Sequence, residues 1–327
     1  MASIPANAPG SRSSQRVART VSVLQRQGAL IALALLLLFG ALRYDNFLSS
    51  YNIASVLRYN SMFGLIALGM TFVIMTGGID LSVGSVAALS SVIAALLSPY
   101  GLLAGLVGPL LVGMALGLIN GVVIARLGIA PFITTLAMLL AARGLALIFA
   151  KNTSVAVSYD TNFTTLGSND LLGVPIPALI LALAFLVGAL ALSYGRWGRH
   201  VLAVGGNEEA ARLLGLPVSR IIISVYMLSG VMAALAGVIL ASQFGAGQPT
   251  EGLGWELQAI AAVVVGGTLL TGGLGSVWTT LVGVLLLGLI INMLNFEGLG
   301  PYWQSVIRGL FLLVVVVLQN QLARRRR

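Results

Sequence analysis

The chain has 327 residues, 58% of them apolar and 8% charged, with a mean hydropathy of +1.01. Soluble domains carry roughly 25% charged residues, so this composition excludes a water-coated enzyme and points to an all-α polytopic membrane protein. The net charge of +9 sits in arginines clustered where loops are expected, which marks topology rather than nucleic-acid binding; no cysteine and a single histidine leave no disulfide and no metal site.

Residues 1–27 form an Arg- and Ser-rich head without acids. Transit peptides and signal n-regions share that composition. The apolar run that follows, 28–42, lacks an Ala-x-Ala exit, so the head reads as a disordered cytoplasmic segment before an uncleaved first span. The membrane domain is expected over 28–320, with further spans at 53–76, 83–97, 102–124, 131–150, 176–193, 221–242, 257–270, 276–294 and from 301 to 318. At about 20 residues per span this gives about ten helices. Pro131 suits a first helical turn, and Gly113, Gly117 and Gly121 share one helix face, which permits close helix contact. Two Gly-rich breaks, Gly77 to Ser82 and Thr271 to Gly273, interrupt the apolar pattern.

The stretches Lys151 to Pro175 and Gln243 to Glu256 read as outer loops, the second holding Glu251 and Glu256. The charged block Tyr194 to Arg220 reads as the main cytoplasmic loop, and 321–327 as a basic cytoplasmic tail. On this map 13 of the 18 basic residues face the cytoplasm. Positive charge collects on that side, so both termini are expected inside and the span number even.

The chain echoes itself twice. Thr76-Gly-Gly78 with Val83-Gly-Ser-Val86 matches Thr271-Gly-Gly273 with Leu274-Gly-Ser-Val277. Asn120, Leu127-Gly128, Pro131 and Arg143-Gly-Leu145 match Asn292, Leu299-Gly300, Pro301 and Arg308-Gly-Leu310. The second echo has Pro131 inside and Pro301 outside, as an inverted repeat requires. The first echo has both copies inside, so the two disagree.

Asp80 is the one acid this map places at a membrane segment. It reads either as a cap on the span that follows or as a lining group of a pathway. Arg143 and Arg308, inside spans, read as structural locks or snorkelling side chains. Asn120, Thr134, Thr135, Gln258, Asn292 and Asn295 could meet a polyol through hydroxyl and amide groups, or could glue helices together.

No Gly-x4-Gly-Lys-Ser/Thr occurs, and Lys151 is the only lysine, so the chain has no phosphate-binding loop of that type. Energy from ATP would have to arrive through another protein. The segment Gly205, Gly206, Asn207, Glu208, Glu209, Ala210, Ala211, Arg212, Leu213, Leu214, Gly215, Leu216, Pro217 reads as an N-cap, acids in a first turn, a short helix, a glycine stop and a proline. A short exposed helix of that kind suits docking.

Three runs carry a resemblance: Gly69 to Ser85, holding Thr76-Gly-Gly-Ile-Asp-Leu-Ser-Val-Gly-Ser85; Ala203 to Pro217; and Gly266-Gly-Thr-Leu-Leu-Thr-Gly-Gly-Leu-Gly-Ser276. With them the chain resembles the permeases of ribose-type ABC sugar importers, and Asn295-Phe-Glu-Gly-Leu-Gly-Pro-Tyr-Trp303 is most similar to the galactofuranose type. The resemblance implies a multi-pass permease of the bacterial inner membrane, paired with a second identical or different permease chain. It further implies a cytoplasmic ABC ATPase that carries ATP and Mg and grips the 205–217 loop, and a periplasmic sugar-binding protein. The permease itself needs no cofactor and no metal. Nucleoside permeases share this scaffold, and an ion-coupled secondary transporter using Asp80 is the rival from another class. An intramembrane enzyme lacks any acid or nucleophile beside the solitary His200.

Overall fold

A computed structural model describes residues 12–324; residues 1–11 of the expected head and 325–327 of the expected tail lie outside the described residues. The helices are α1 (Arg12–Arg43), α2 (Ser50–Met75), α3 (Val83–Leu97), α4 (Leu102–Leu127), α5 (Pro131–Phe149), α6 (Thr165–Ser168) and α7 (Ile176–Ser193), then α8 (Arg196–Gly206), α9 (Glu208–Leu213), α10 (Val218–Phe244), α11 (Trp255–Val265), α12 (Val277–Phe296) and α13 (Pro301–Arg324). Two small antiparallel pairs join β1 (Val155–Ala156) to β4 (Ala246–Gly247) and β2 (Asp170–Leu171) to β3 (Val174–Pro175).

Ten of these helices occupy the expected span positions, and among the described residues seven are long and apolar enough to cross a membrane. α11 is too short, with 11 residues, where a full crossing needs about 20, whereas α3 qualifies only with the turn that prolongs it to Tyr100, 18 residues in all. Local sequence sets the helix limits. Pro131 opens α5, and Gly128 and Gly245 end α4 and α10 in the left-handed conformation at φ +69° and +68°.

α2 and α10 form the centre, with 83% and 61% of their most apolar windows buried, whereas α4 and α5 bury 22%. The outer helices therefore present leucine and isoleucine to lipid, which gives them no hydrophobic drive to associate; small residues must bring the backbones together. The glycine face on α4 does so. A Cβ built on Gly113 would sit 2.4 Å from Gly230 O, one on Gly117 2.3 Å from Tyr226 O, and one on Gly121 2.7 Å from Ile223 Cα. α4 and α10 thus cross with their backbones touching.

Chain direction resolves the two echoes. α2 ends at the loop-rich end bearing Arg126, Arg196, Arg199, Arg212 and Arg220, with Gly273 N bonded to Met75 O at 3.0 Å. α10 begins at that end, where Ser219 Oγ donates to Ala125 O at 3.3 Å. The runs α2–α5 and α10–α13 share one element order, in each case a long helix, a break, a short helix and two further helices, and they travel in opposite directions. The second echo belongs to this inverted repeat. The first does not: both Thr-Gly-Gly copies lie at the arginine-rich end, side by side.

Gly117→Leu should force the α4–α10 crossing apart and cost about 1–3 kcal/mol or more, read as a lower melting temperature in detergent. Gly144→Ala, where an added Cβ meets nothing within 4 Å, should be neutral or stabilising by up to about 1 kcal/mol.

Candidate functional site

Two irregular segments, Gly77 to Ser82 after α2 and 246–254 after α10, fold back into the membrane domain and meet there as its first and second breaks; the expected break at Thr271 to Gly273 is not one of them. After α2 the chain turns at Gly77 and Gly78 and starts α3 partway up the bundle. After α10 the segment 246–254 descends along α3, with Gln248 N donating to Ser91 Oγ at 3.0 Å, and α11 starts partway down. At the meeting point a Cβ on Gly84 would lie 2.1 Å from Gly252 O, and one on Gly252 2.3 Å from Gly84 O. Gly252 also holds φ +81°, so only glycine serves both the turn and the contact. This corrects the expectation for Gln243 to Glu256. The stretch is not an outer loop, because its unpaired backbone finds partners on α3 and α5, and Asp80 is therefore not the only acid at depth: half-buried Glu256 has its carboxylate beside Gly84.

Asp80 is 1% exposed. Its Oδ1 accepts from Ser82 N at 3.0 Å and Ser82 Oγ at 2.6 Å, and its Oδ2 accepts from Ser229 Oγ of α10 at 2.8 Å. Asn120 of α4 donates to Ser82 Oγ at 3.1 Å. Tyr226 OH and Thr135 Oγ1 donate to Ile79 O at 3.3 and 3.4 Å. Asp80, Asn120 and Thr135 thus come together around the first break, binding α3, α4, α5 and α10. The carboxylate locks a turn just ahead of α3 rather than capping its first residue, since Ser82 stands at the cap position. Thr134 is also buried on α5, and its hydroxyl has no partner. Ser229 and Tyr226 carry no sequence signal of their own on an apolar helix.

Arg143 binds the second break. Its Nη1 donates to Pro249 O and Glu251 O, which is the lock reading of this arginine. Arg308, its counterpart in the repeat, does otherwise: its Nε donates to Gln304 O of its own helix at 3.2 Å, and it makes no ion pair among the described residues.

The remaining expected residues gather in the second half of the repeat. Gln258 and Arg308 line a cavity of about 230 Å³ between α2, α11, α12 and α13. Asn292 and Asn295 line an adjoining cavity of about 300 Å³ that reaches Arg58. Both share Asn60, Gly288 and Ile291 in their walls. Asn292 exchanges hydrogen bonds with Asn52 at 2.8 and 3.2 Å, and Asn295 Oδ1 accepts from Gln304 Nε2 at 2.7 Å. Asn60 was not expected, because a lone amide in an apolar span carries no pattern. Outside the bundle, the Tyr44 phenol donates to Glu297 Oε1 at 2.8 Å, and that hydrogen bond, which holds the phenol in its protonated form, raises its pKa above the usual value.

At the arginine-rich end, α9 stands exposed. Asn207 caps it by accepting from Ala210 N at 2.9 Å, Glu208 pairs with Arg212 at 2.8 Å, and Gly215 leaves it at φ +78°. Glu208, Glu209, Ala210, Arg212 and Pro217 face solvent, as do Leu213 and Leu214 at 83% and 81% exposure. Its base is fixed: Gly205 packs so closely on Met75 O that a built Cβ would overlap it, and Gly272 and Gly273 press on Gly205 and Gly206. The Thr-Gly-Gly copies thus form, with Gly205 and Gly206, one backbone knot joining the end of α2, the loop after α11 and the root of α9.

Multiple apolar helices, an inverted repeat and two broken helices meeting inside the bundle define a multi-pass membrane transport protein. The chain belongs to the family described as branched-chain amino acid transport system / permease component, whose profile matches residues 52–316. It is 41% identical over 308 residues to the ribose import permease protein RbsC of Bacillus subtilis, covering 91% of this chain and 94% of that one. It is 40% identical over 309 residues to RbsC of Escherichia coli strain K12, at 92% and 96% coverage, and 38% identical over 303 residues to the L-arabinose transport system permease protein AraH of the same strain, at 90% and 90%. No solved structure matches.

Asp80→Asn keeps the acceptor for Ser82, and the Ser229 hydroxyl can turn to accept from the new amide, so this variant should fold and retain transport. Asp80→Ala leaves buried donors without an acceptor and should cost about 1–3 kcal/mol in a thermal melt. Arg143→Ala takes the donor from the carbonyls of buried Pro249 and of Glu251, of which the buried one alone costs up to several kcal/mol, and should lower the yield of folded protein, with Arg143→Lys recovering part of it.

Proposed function

We propose that this chain is the transmembrane permease subunit of an ATP-binding cassette importer that passes a monosaccharide, first of all a pentose, across the bacterial inner membrane. The observation that carries this reading is similarity over nine-tenths of both chains to permeases named for ribose import and L-arabinose transport. The arginine-rich end faces the cytoplasm by the charge rule, with the start of α1 and the finish of α13 on that side.

α9 is then the handle for a separate ATPase that holds the ATP and Mg. Its exposed Leu213 and Leu214, rimmed by Glu208, Glu209 and Arg212, have the apolar centre and charged rim of a docking patch. A push there reaches α2 and the loop after α11 through the Gly205–Gly272 knot. The opposite end receives the periplasmic sugar-binding protein, and a second permease chain, identical or different, completes the pathway within membrane lipid. The ion-coupled rival would need Asp80 to bind and release a cation, whereas every arm of that carboxylate is engaged in holding a turn.

In proteoliposomes the purified chain should neither hydrolyse ATP nor take up ribose, and should import it once the ATPase and loaded binding protein are supplied. Uptake driven by an ion gradient alone would overturn the proposal. Leu213→Asp with Leu214→Asp should reduce ATP-driven import by roughly tenfold or more by removing a docking anchor worth at least about 1.4 kcal/mol, while the melting temperature of these exposed sites stays put.

A further inference from the structure

We infer that the joined cavities between α2, α11, α12 and α13 form a sugar-binding station inside the permease itself, through which one monosaccharide passes between the outer face and the middle of the bundle. The inference rests on the sugar-importer reading and gives it a place. The outer cavity runs from Arg58 and Asn295 past Asn60, and the inner one continues from Asn60 to Gln258 and Arg308.

The lining chemistry is that of carbohydrate recognition. Asn60, 4% exposed, stands in the wall between the two cavities, and its amide lies so close to Gly288 that any side chain there would displace it. Gln243 lines the outer cavity with a buried Oε1 that has no hydrogen-bond partner among the described residues. Gln258 and Arg308 line the inner one, and the Arg308 guanidinium is bound by no carbonyl of another helix, unlike that of Arg143. Amides and a planar guanidinium offer paired donors and acceptors that match neighbouring hydroxyls.

The apolar part of the wall is aromatic. Phe63 faces the inner cavity and Tyr59 the outer one, their rings 5.1 Å apart, and Trp255 backs Phe63 at 4.8 Å. Such a face accepts the C–H side of a sugar ring while the amides take its hydroxyls. Among the described residues the inner cavity carries no carboxylate, so a neutral polyol fits it better than a cation. The inner volume of about 230 Å³ falls below the range of drug-sized ligand pockets, about 300–1,000 Å³, and the outer one of about 300 Å³ stands at its lower limit, which suits a small solute held in passing.

The test uses the full complex with its ATPase and binding protein in proteoliposomes, with ribose and a set of its monodeoxy analogues as probes. Gln258→Leu and Arg308→Leu should each lower ribose import roughly tenfold, the loss of one hydrogen bond to a desolvated partner, while Gln258→Asn and Arg308→Lys restore part of it. The leucine variants should also lose discrimination between ribose and at least one deoxy analogue, since a site built to hydrogen-bond a hydroxyl rejects the analogue lacking it. A purely structural role would lower import of all sugars alike and lower the melting temperature with it, and that result overturns the inference. Undiminished import with unchanged discrimination also overturns it and leaves the importer reading intact, as does a lipid or detergent chain occupying the cavities of an importing complex. A wild-type complex that imports none of the sugars overturns the importer reading itself.

Discussion

A bilayer offers no water to a broken backbone, and this constraint organises the whole bundle. Ordinary spanning helices satisfy every peptide group internally, so irregular chain at membrane depth survives only where protein supplies the missing partners. This chain breaks twice at depth and supplies them with two charged side chains of opposite sign. Asp80 gathers donors at the first break, from Ser82 N, Ser82 Oγ and Ser229 Oγ. Arg143 supplies donors to the carbonyls of Pro249 and Glu251 at the second. An acid turned towards N–H and O–H groups and a base turned towards C=O groups are complementary solutions to one problem. Each also ties its break to a different helix, which is why α3 and α11 start where they do and why Gly84 can rest on Gly252.

The all-helical class and the positions of most helices were legible because hydrophobic length is dictated residue by residue. α2 at Ser50–Met75 and α12 at Val277–Phe296 fall within a few residues of the apolar runs at 53–76 and 276–294. The depth of Gln243 to Glu256 was not legible. Four glycines, a proline and two acids read equally as a surface loop and as backbone that must approach another backbone, and only the partners on α3 and α5 decide between them. α11 is short for the same reason in reverse: apolar length counts residues, not how far a helix starts from the surface.

The site was legible in pieces. Asp80, Asn120 and Thr135 stood out as polar residues in apolar surroundings and do converge, but their mutual partners Ser229 and Tyr226 lie more than a hundred residues away, where no local pattern points back to position 80. The Thr-Gly-Gly copies were visible as an echo and invisible as a contact. The copies meet each other at Gly77 and Gly272, and the second one also rests on Gly205 and Gly206, so they share a place of contact and not the inverted relation of the two halves. Asn207, with its acids, glycine and proline, was readable throughout, because a cap and a stop are local chemistry.

The repeat is symmetric in order and unsymmetric in packing, and the difference falls on the two arginines. Arg143 is fixed to the opposite half of the repeat, so α5 is pinned against the central break. Among the described residues the Arg308 guanidinium donates only to Gln304 O of its own helix and lines the inner cavity, so no arginine bond pins α13 to the opposite half. A transporter needs one half rigid enough to transmit force and another open enough to admit a solute. The knot at Gly205 links α9 to α2 and to the loop after α11, and α2 and α11 are both walls of the inner cavity. On the proposed reading of α9 as the handle for the ATPase, a push there would meet the walls of the inner cavity through this knot, with Arg143 bracing the opposite half.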